Sequence, residues 1–361
     1  MEHDLTRRQL LAGLAGGGAV LGGGRAVDNV LLGYDRITGT NLVRQDLDPL
    51  VSAELRPSGT DVATVDGYRI EHRDGRFSLV GGNGRDDDSG SDGGDGNGGG
   101  GGSKEDEDEG SDVLTTVSPA DDPADAAAVD REYDLEDGPL EQLVVDLGAL
   151  ESGDVRFVYD SYPAFFDFVR DHEASPYTVA ALRGYRTADP DRIEAFSGAD
   201  PADPEAVAEG LVDGFREYSS YDIPRYVAGS VEDNVIFGAY DLRQHFESGT
   251  DYEAIVDGEN TGLFCFELTR RSVDALQAVH PLEQTVPVVG GYVRDTRHKH
   301  VYTILASVVD VDGETVIPVT FLDYTHSTAY DDLRVRWVMG EGLDAYDRRH
   351  RATSIDWYQF A

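Results

Sequence analysis

The chain is poor in cysteine and lysine: Cys265 is the single cysteine in 361 residues, and Lys104 and Lys299 are the only lysines. One cysteine excludes an intramolecular disulfide. The basic residues number 30, nearly all arginine, against 70 acidic residues, for a formal charge of -40. A chain this acidic does not hold a nucleic-acid backbone, which needs clustered cations. It is also repelled by anionic membrane surfaces. No apolar run reaches the roughly 20 residues needed to span a bilayer. There is no Cys–Cys pair and no His-Glu-x-x-His pattern, so the reading assigns no metal and no cofactor. Asp outnumbers Glu 47 to 23. Self-repulsion destabilises such a chain at moderate salt. At molar salt the Debye length is about 3 Å and the repulsion is largely screened. The Asp-rich, Lys-poor balance therefore describes a protein built for very high salt.

The N-terminus carries an export pattern. Thr6-Arg7-Arg8-Gln9-Leu10-Leu11 leads into an uncharged, glycine-rich stretch to Gly24, with a small-residue cleavage site at Gly24-Arg25-Ala26. This resembles a twin-arginine (Tat) signal over residues 1–26, too short and too glycine-rich for a stable transmembrane helix. It implies a secreted or cell-surface protein, handled by the Tat machinery and without a membrane span after cleavage.

Behind the signal, residues 27–82 read as a small β-rich unit. The β-prone runs Asp61–Ile70 and Arg76–Val80 flank Asp74-Gly75 and suggest a hairpin. A unit of this size without disulfide or metal is marginal alone. Residues 83–130 read as a disordered linker. Gly98–Gly102 are consecutive glycines and Glu105–Glu109 are all acidic, which leaves too little apolar surface to offset chain entropy. The spacing of a calcium loop is absent there. Residues 131–361 form the main domain. Val144–Leu150 and Val155–Tyr159 read as strands or short apolar runs, Pro163–Arg170 as a short aromatic helix, and Asp203–Tyr218 as a helix.

The chemistry-bearing stretch begins near Asn260. Phe264, Leu268, Ser272, Ala275, Leu276 and Val279 recur at helical spacing, and His280-Pro281 ends the run. Cys265 then lies in the first turn, where the helix dipole favours thiolate over thiol. Val286–Val293 and His298–Val309 read as strands. Asp312-Gly313 is a two-residue hairpin signal, and Thr315–Leu322 is the returning strand. If Asp312 and Gly313 are the central turn residues, Val311 pairs with Glu314 and Tyr302 faces Asp323. His300 and Asp323 then become diagonal neighbours on one face, with His298 one pair further away. A cysteine at a helix start, a histidine on a strand and an aspartate on the next strand make a nucleophile–base–orienter set.

In this order and spacing, Gly262–Thr325 resembles the core of the transglutaminase-like superfamily, with papain-like cysteine chemistry. A Gly shortly before a Cys opens a helix ending Ala275-Leu276-Gln277-Ala278-Val279. Val286-Pro287-Val288-Val289-Gly290-Gly291-Tyr292-Val293 is similar to the family's arginine-valine-glycine-tyrosine strand. His300-Val301-Tyr302 resembles its His-Ala-Trp, and Leu322-Asp323-Tyr324-Thr325 its Leu-Asp-Pro-Thr. Two residues, Leu263 and Phe264, separate Gly from Cys where the family has one, and Tyr324 stands for proline. The resemblance implies an α+β fold with a nucleophile helix packed on an antiparallel sheet. It makes Cys265 the nucleophile, His300 the base and Asp323 the orienting acid. The Cys265 N–H is one candidate oxyanion donor, and the segment Tyr252–Asn260 is a candidate source of a second.

The expected function is a salt-adapted, haloarchaeal-type cysteine peptidase or amidase acting on a protein or peptide through a Cys265 thioester. The alternative is a catalytically inactive copy of the same fold serving as a surface or cell-envelope interaction module. A metal on His298, His300 and His326 is the weaker reading, because the register puts His326 on the opposite face. Tyr292, Tyr302 and Trp337 read as core or cleft aromatics, and Arg348-Arg349-His350-Arg351 as a basic run satisfied by internal carboxylates.

Overall fold

The computed structural model describes residues 46–58, 61–81, 113–183, 188–221, 252–256, 262–296, 300–325 and 352–357. The expected export signal, the acidic segment 83–112, His298, Lys299, His326, Trp337 and the basic run 348–351 lie outside these residues.

Helix α1 (Asp48–Ser52) precedes strands β1 (Asp61–Val65), β2 (Tyr68–Arg73) and β3 (Arg76–Gly81). Both connections are Asp-Gly turns with positive φ at each central residue: 51° and 83° at Asp66-Gly67, and 51° and 75° at Asp74-Gly75. That is the twist-compatible hairpin geometry Asp-Gly adopts most easily. The run Asp61–Ile70 is thus two strands folded back at Asp66-Gly67. Strand β4 (Val113–Val117) adds antiparallel to β3, completing a four-stranded sheet in the order β1-β2-β3-β4.

The expected disordered linker therefore ends earlier than residue 130. Helix α2 (Pro123–Glu132) follows β4 directly, with Asp122 accepting the Ala124 N–H at 2.9 Å and Pro123 at its start. A residue pattern that looked unstructured is an N-cap followed by an N1 proline, and Val117, Ala126 and Ala127 are buried. Helix α3 (Pro139–Ser152) takes in Val144–Leu150, which from sequence reads as a strand or a short apolar run. Leu140, Leu143, Val144 and Leu147 form its buried face, and that spacing is helical.

Strand β5 (Arg156–Tyr159), α4 (Tyr162–Arg170), β6 (Glu173–Ala174), α5 (Pro176–Leu182), α6 (Pro190–Ser197), α7 (Pro204–Tyr218) and β7 (Ser220–Tyr221) come next. Then follow α8 (Tyr252–Val256), β8 (Gly262–Leu263), α9 (Cys265–Leu276), a 3-10 turn at Pro281–Glu283, β9 (Val289–Asp295), β10 (His300–Ala306), β11 (Val309–Val311), β12 (Glu314–Leu322) and β13 (Ser354–Trp357). The main sheet runs β13-β9-β10-β12-β11-β6, and β5 pairs parallel to β12. Helices and a largely antiparallel sheet make this an α+β fold. No helix among the described residues is long and apolar enough to cross a membrane.

The main sheet is buried on both faces. One face carries Tyr302, Ile304, Phe321 and Trp357 in a core shared with Ile70, Phe77 and Leu79 of the small sheet and with Leu143 and Leu147 of α3. The other carries Leu305 and Leu322 in a core with Phe165 and Phe166 of α4, Phe215 of α7 and Leu268 of α9. The N-terminal unit thus covers one face of the larger sheet. Two hydrogen bonds seal that junction: Ser58 N–H donates to Ala181 O at 3.0 Å, and the Trp357 indole Nε1 donates to Val51 O at 2.7 Å. Burying aromatic side chains of this kind contributes about 1.5–3 kcal/mol each.

Two predictions concern this packing. A Cβ on Gly214 would sit 2.5 Å from Phe196 O and 2.6 Å from the Phe196 ring. Gly214→Ala should therefore destabilise the protein by about 1–3 kcal/mol, read as a lowered urea midpoint in molar salt. His280 joins the two parts, its Nε2 lying 2.9 Å from Val62 O. Burial, with the Arg183 charge in support, pushes its pKa below the ordinary value. A lowered histidine contributes stability above its unfolded pKa, near 6.5, and loses it as pH falls below that. Urea midpoints between pH 7.5 and 5.5 should fall less in His280→Gln than in the parent chain.

Candidate active site

The segment before Cys265 is held by a short parallel ladder, Ser220 opposite Gly262 and Tyr221 opposite Leu263. Leu263 is fully buried. Helix α9 then starts at Cys265, with Phe264 at the N-cap position in extended conformation. Phenylalanine has no side-chain acceptor, and the end is closed from the other side: the Glu267 carboxylate accepts the Phe264 N–H at 2.9 Å. The N–H of Cys265 belongs to the first turn, whose donors have no acceptor within the helix. Cys265 itself is partly exposed. The helix ends at Leu276, three residues before the Val279 that its spacing predicts. Gln284 explains the early stop, because its Nε2 donates to Leu276 O at 2.9 Å while its Oε1 accepts the Val288 N–H at 3.1 Å.

The hairpin follows the register that Asp312-Gly313 predicts. Val311 pairs with Glu314, and the same register continues through Ala306–Val319 to Thr303–Leu322. Asp312 and Gly313 have φ of 57° and 84°, a primed turn. The long strand expected over His298–Val309 is broken into β10 and β11 at Ser307-Val308, yet Ser307 N–H still donates to Pro318 O at 3.1 Å and the register survives. His300 opens β10 and Asp323 follows β12, so the two side chains reach each other diagonally. His300 Nε2 lies 2.8 Å from Asp323 Oδ2, with the residues only 4% and 2% exposed. Asp323 Oδ1 also accepts the Thr325 N–H at 3.1 Å, which fixes the carboxylate.

Cys265 lies close enough to His300 to act on its ring, helping to raise its pKa. The structure therefore brings together Cys265, His300 and Asp323, the three residues singled out from sequence. With Nε2 engaged by Asp323, Nδ1 is the ring nitrogen that can exchange a proton with the sulfur. Burial works against a charged imidazole, but the Asp323 carboxylate, by charge and by hydrogen bond, and the nearby Cys265 outweigh it. The pKa of His300 stands well above the ordinary histidine value. Tyr302 lies against the site, its ring stacked on His300 at 5.8 Å.

Sequence reasoning missed what braces the cysteine helix against the histidine strand. Thr269 Oγ1 donates to Val301 O at 3.2 Å, next to His300. Ser272 Oγ and Thr303 Oγ1 meet at 2.5 Å, both residues 0% exposed. Gly290 lets the helix approach β9: a Cβ there would lie 3.0 Å from Val273 Cγ1, and its N–H donates to Gln277 Oε1 at 2.7 Å. Serine and threonine at helical spacing read as ordinary small helix-face residues, so only their partners across the interface reveal them. Of the segment Tyr252–Asn260, proposed to hold a second oxyanion donor, the structure describes residues 252–256, where Tyr252 OH donates to Arg271 O.

No family model matches the chain, and no curated protein or solved structure matches it.

The raised histidine sets a pH signature opposite to that of His280. A group whose folded pKa is raised contributes stability fully below its unfolded pKa, near 6.5, and loses it as pH rises through the higher folded value. The urea midpoint of the parent chain should exceed that of His300→Gln most at about pH 6. The gap should narrow steadily into the alkaline range.

Proposed function

We propose that the chain is an exported, salt-adapted cysteine hydrolase of transglutaminase-like type that cleaves amide or peptide bonds through a Cys265 thioester. The observation that carries the reading is the buried His300–Asp323 contact, with Cys265 near the same imidazole at the start of a helix. A cysteine that served only as core filling is expected to be buried, whereas Cys265 is partly exposed. The ordered sequence blocks around these residues support the family assignment.

In this reading the Cys265 thiolate attacks the carbonyl carbon and a tetrahedral oxyanion forms, with the Cys265 N–H at the helix start as one donor to it. Protonated His300 gives its proton to the leaving amine as the C–N bond breaks, leaving the acyl group on sulfur. His300 then takes a proton from water, which attacks the thioester. Collapse releases the carboxylic acid and returns the proton to the Cys265–His300 pair. Asp323 keeps the ring in the productive tautomer and compensates the imidazolium. Water at molar concentration outcompetes an amine unless an acceptor site holds that amine, so hydrolysis is favoured over cross-linking.

Iodoacetamide at molar salt tests this. Native Cys265 should be carbamidomethylated without denaturant, and His300→Gln should slow the labelling by about 10²-fold or more. Labelling that needs unfolding, with an ordinary thiol pH profile, means the site is not an activated nucleophile.

A further inference from the structure

Phe266, the residue after the nucleophile, is 42% exposed, and its ring stacks on Tyr292 at 5.9 Å with an interplanar angle of 17°. Tyr292 is buried in β9, opposite Thr303 of β10. Strand β9 flanks β10 on the side away from β12. The exposed ring thus belongs to the residue next to the nucleophile in α9 and lies over β9, on the side of the histidine strand away from β12. Packing does not account for it, since the inner ring of the stack is already buried while the outer one is left to solvent. In a chain of formal charge -40, an uncovered aromatic ring adjoining a nucleophile is a recognition surface. At molar salt, charge-based recognition reaches only about 3 Å, whereas contact between apolar surfaces is not screened.

We infer that Phe266, backed by Tyr292, forms an apolar subsite that selects substrates with an aromatic or large apolar side chain next to the scissile amide. This rests on the hydrolase reading and specifies its substrate class. The ring has one face against Tyr292 and exposed surface free to meet a second apolar group, as offset stacking prefers.

The test compares Cys265 alkylation by iodoacetamide and by N-phenethyl iodoacetamide at molar salt, measuring saturation constant and limiting rate separately. The phenethyl reagent should be preferred about three- to tenfold, with the gain in the saturation constant. Phe266→Ser should bring the preference to near one, and Phe266→Leu should keep part of it. Val145→Ser, at an exposed apolar position on α3, should leave the preference unchanged. Native labelling by both reagents with no preference, or a preference that survives Phe266→Ser, overturns the subsite and leaves the nucleophile standing. Failure of both reagents to label native Cys265 overturns the hydrolase reading and the subsite with it.

Discussion

His300 and Asp323 meet because one hairpin register is held from the Asp312-Gly313 turn up to the far end of β10. A slip of a single residue along that hairpin would turn the histidine to the other face of the sheet. Gly313, at φ 84°, fixes the turn at one end. At the other, the histidine and aspartate bury a polar pair whose members cost free energy if either is left alone. Between them, Ser307 keeps the ladder intact where the strand is interrupted. The register thus transmits the geometry of an exposed turn to a water-excluded contact some ten residues away along each strand.

The cysteine enters that geometry from a different part of the chain, and its position depends on how closely α9 lies on β10. Gly290 supplies the close approach. The Ser272–Thr303 and Thr269–Val301 contacts set the helix along the strand. Hydroxyl pairs in an otherwise apolar interface act directionally, and buried ones left unmatched are costly. On the face that Tyr302 and Phe321 share with His300 and Asp323, the small β1–β4 sheet and α3 complete the core. The N-terminal unit thus packs on the same face of the sheet as the histidine and aspartate.

Local signals were legible in the sequence wherever they were strong. Asp312-Gly313 gave the hairpin and its register, the Asp203-Pro204 start gave α7, and the apolar spacing gave α9 with Cys265 at its head. Errors fell where composition misled. Asp122-Pro123 among small residues reads as disorder, though it caps a helix whose Ala126 and Ala127 are buried. Val144–Leu150 reads equally as a strand or a short apolar run, because both kinds of element give such a run, and it is helical. The bracing by Gln284, Ser272 and Thr269 had no local signature at all. Each residue acts through a partner distant in sequence, and polar side chains with such partners look like any others.

The acidic segment expected as a linker is bounded by two strands of one sheet. Strands β3 and β4 are neighbours in one sheet, Val80 opposite Val113. The chain between them, residues 82–112, thus joins two hydrogen-bonded neighbours of one sheet. Loop-closure cost grows only with the logarithm of length, at about 0.6 kcal/mol per doubling. The segment can therefore lengthen, shorten or gain charge over evolutionary time almost without thermodynamic consequence for the sheet that closes it. The pairing of β3 with β4 thus tolerates changes in the length of chain between them.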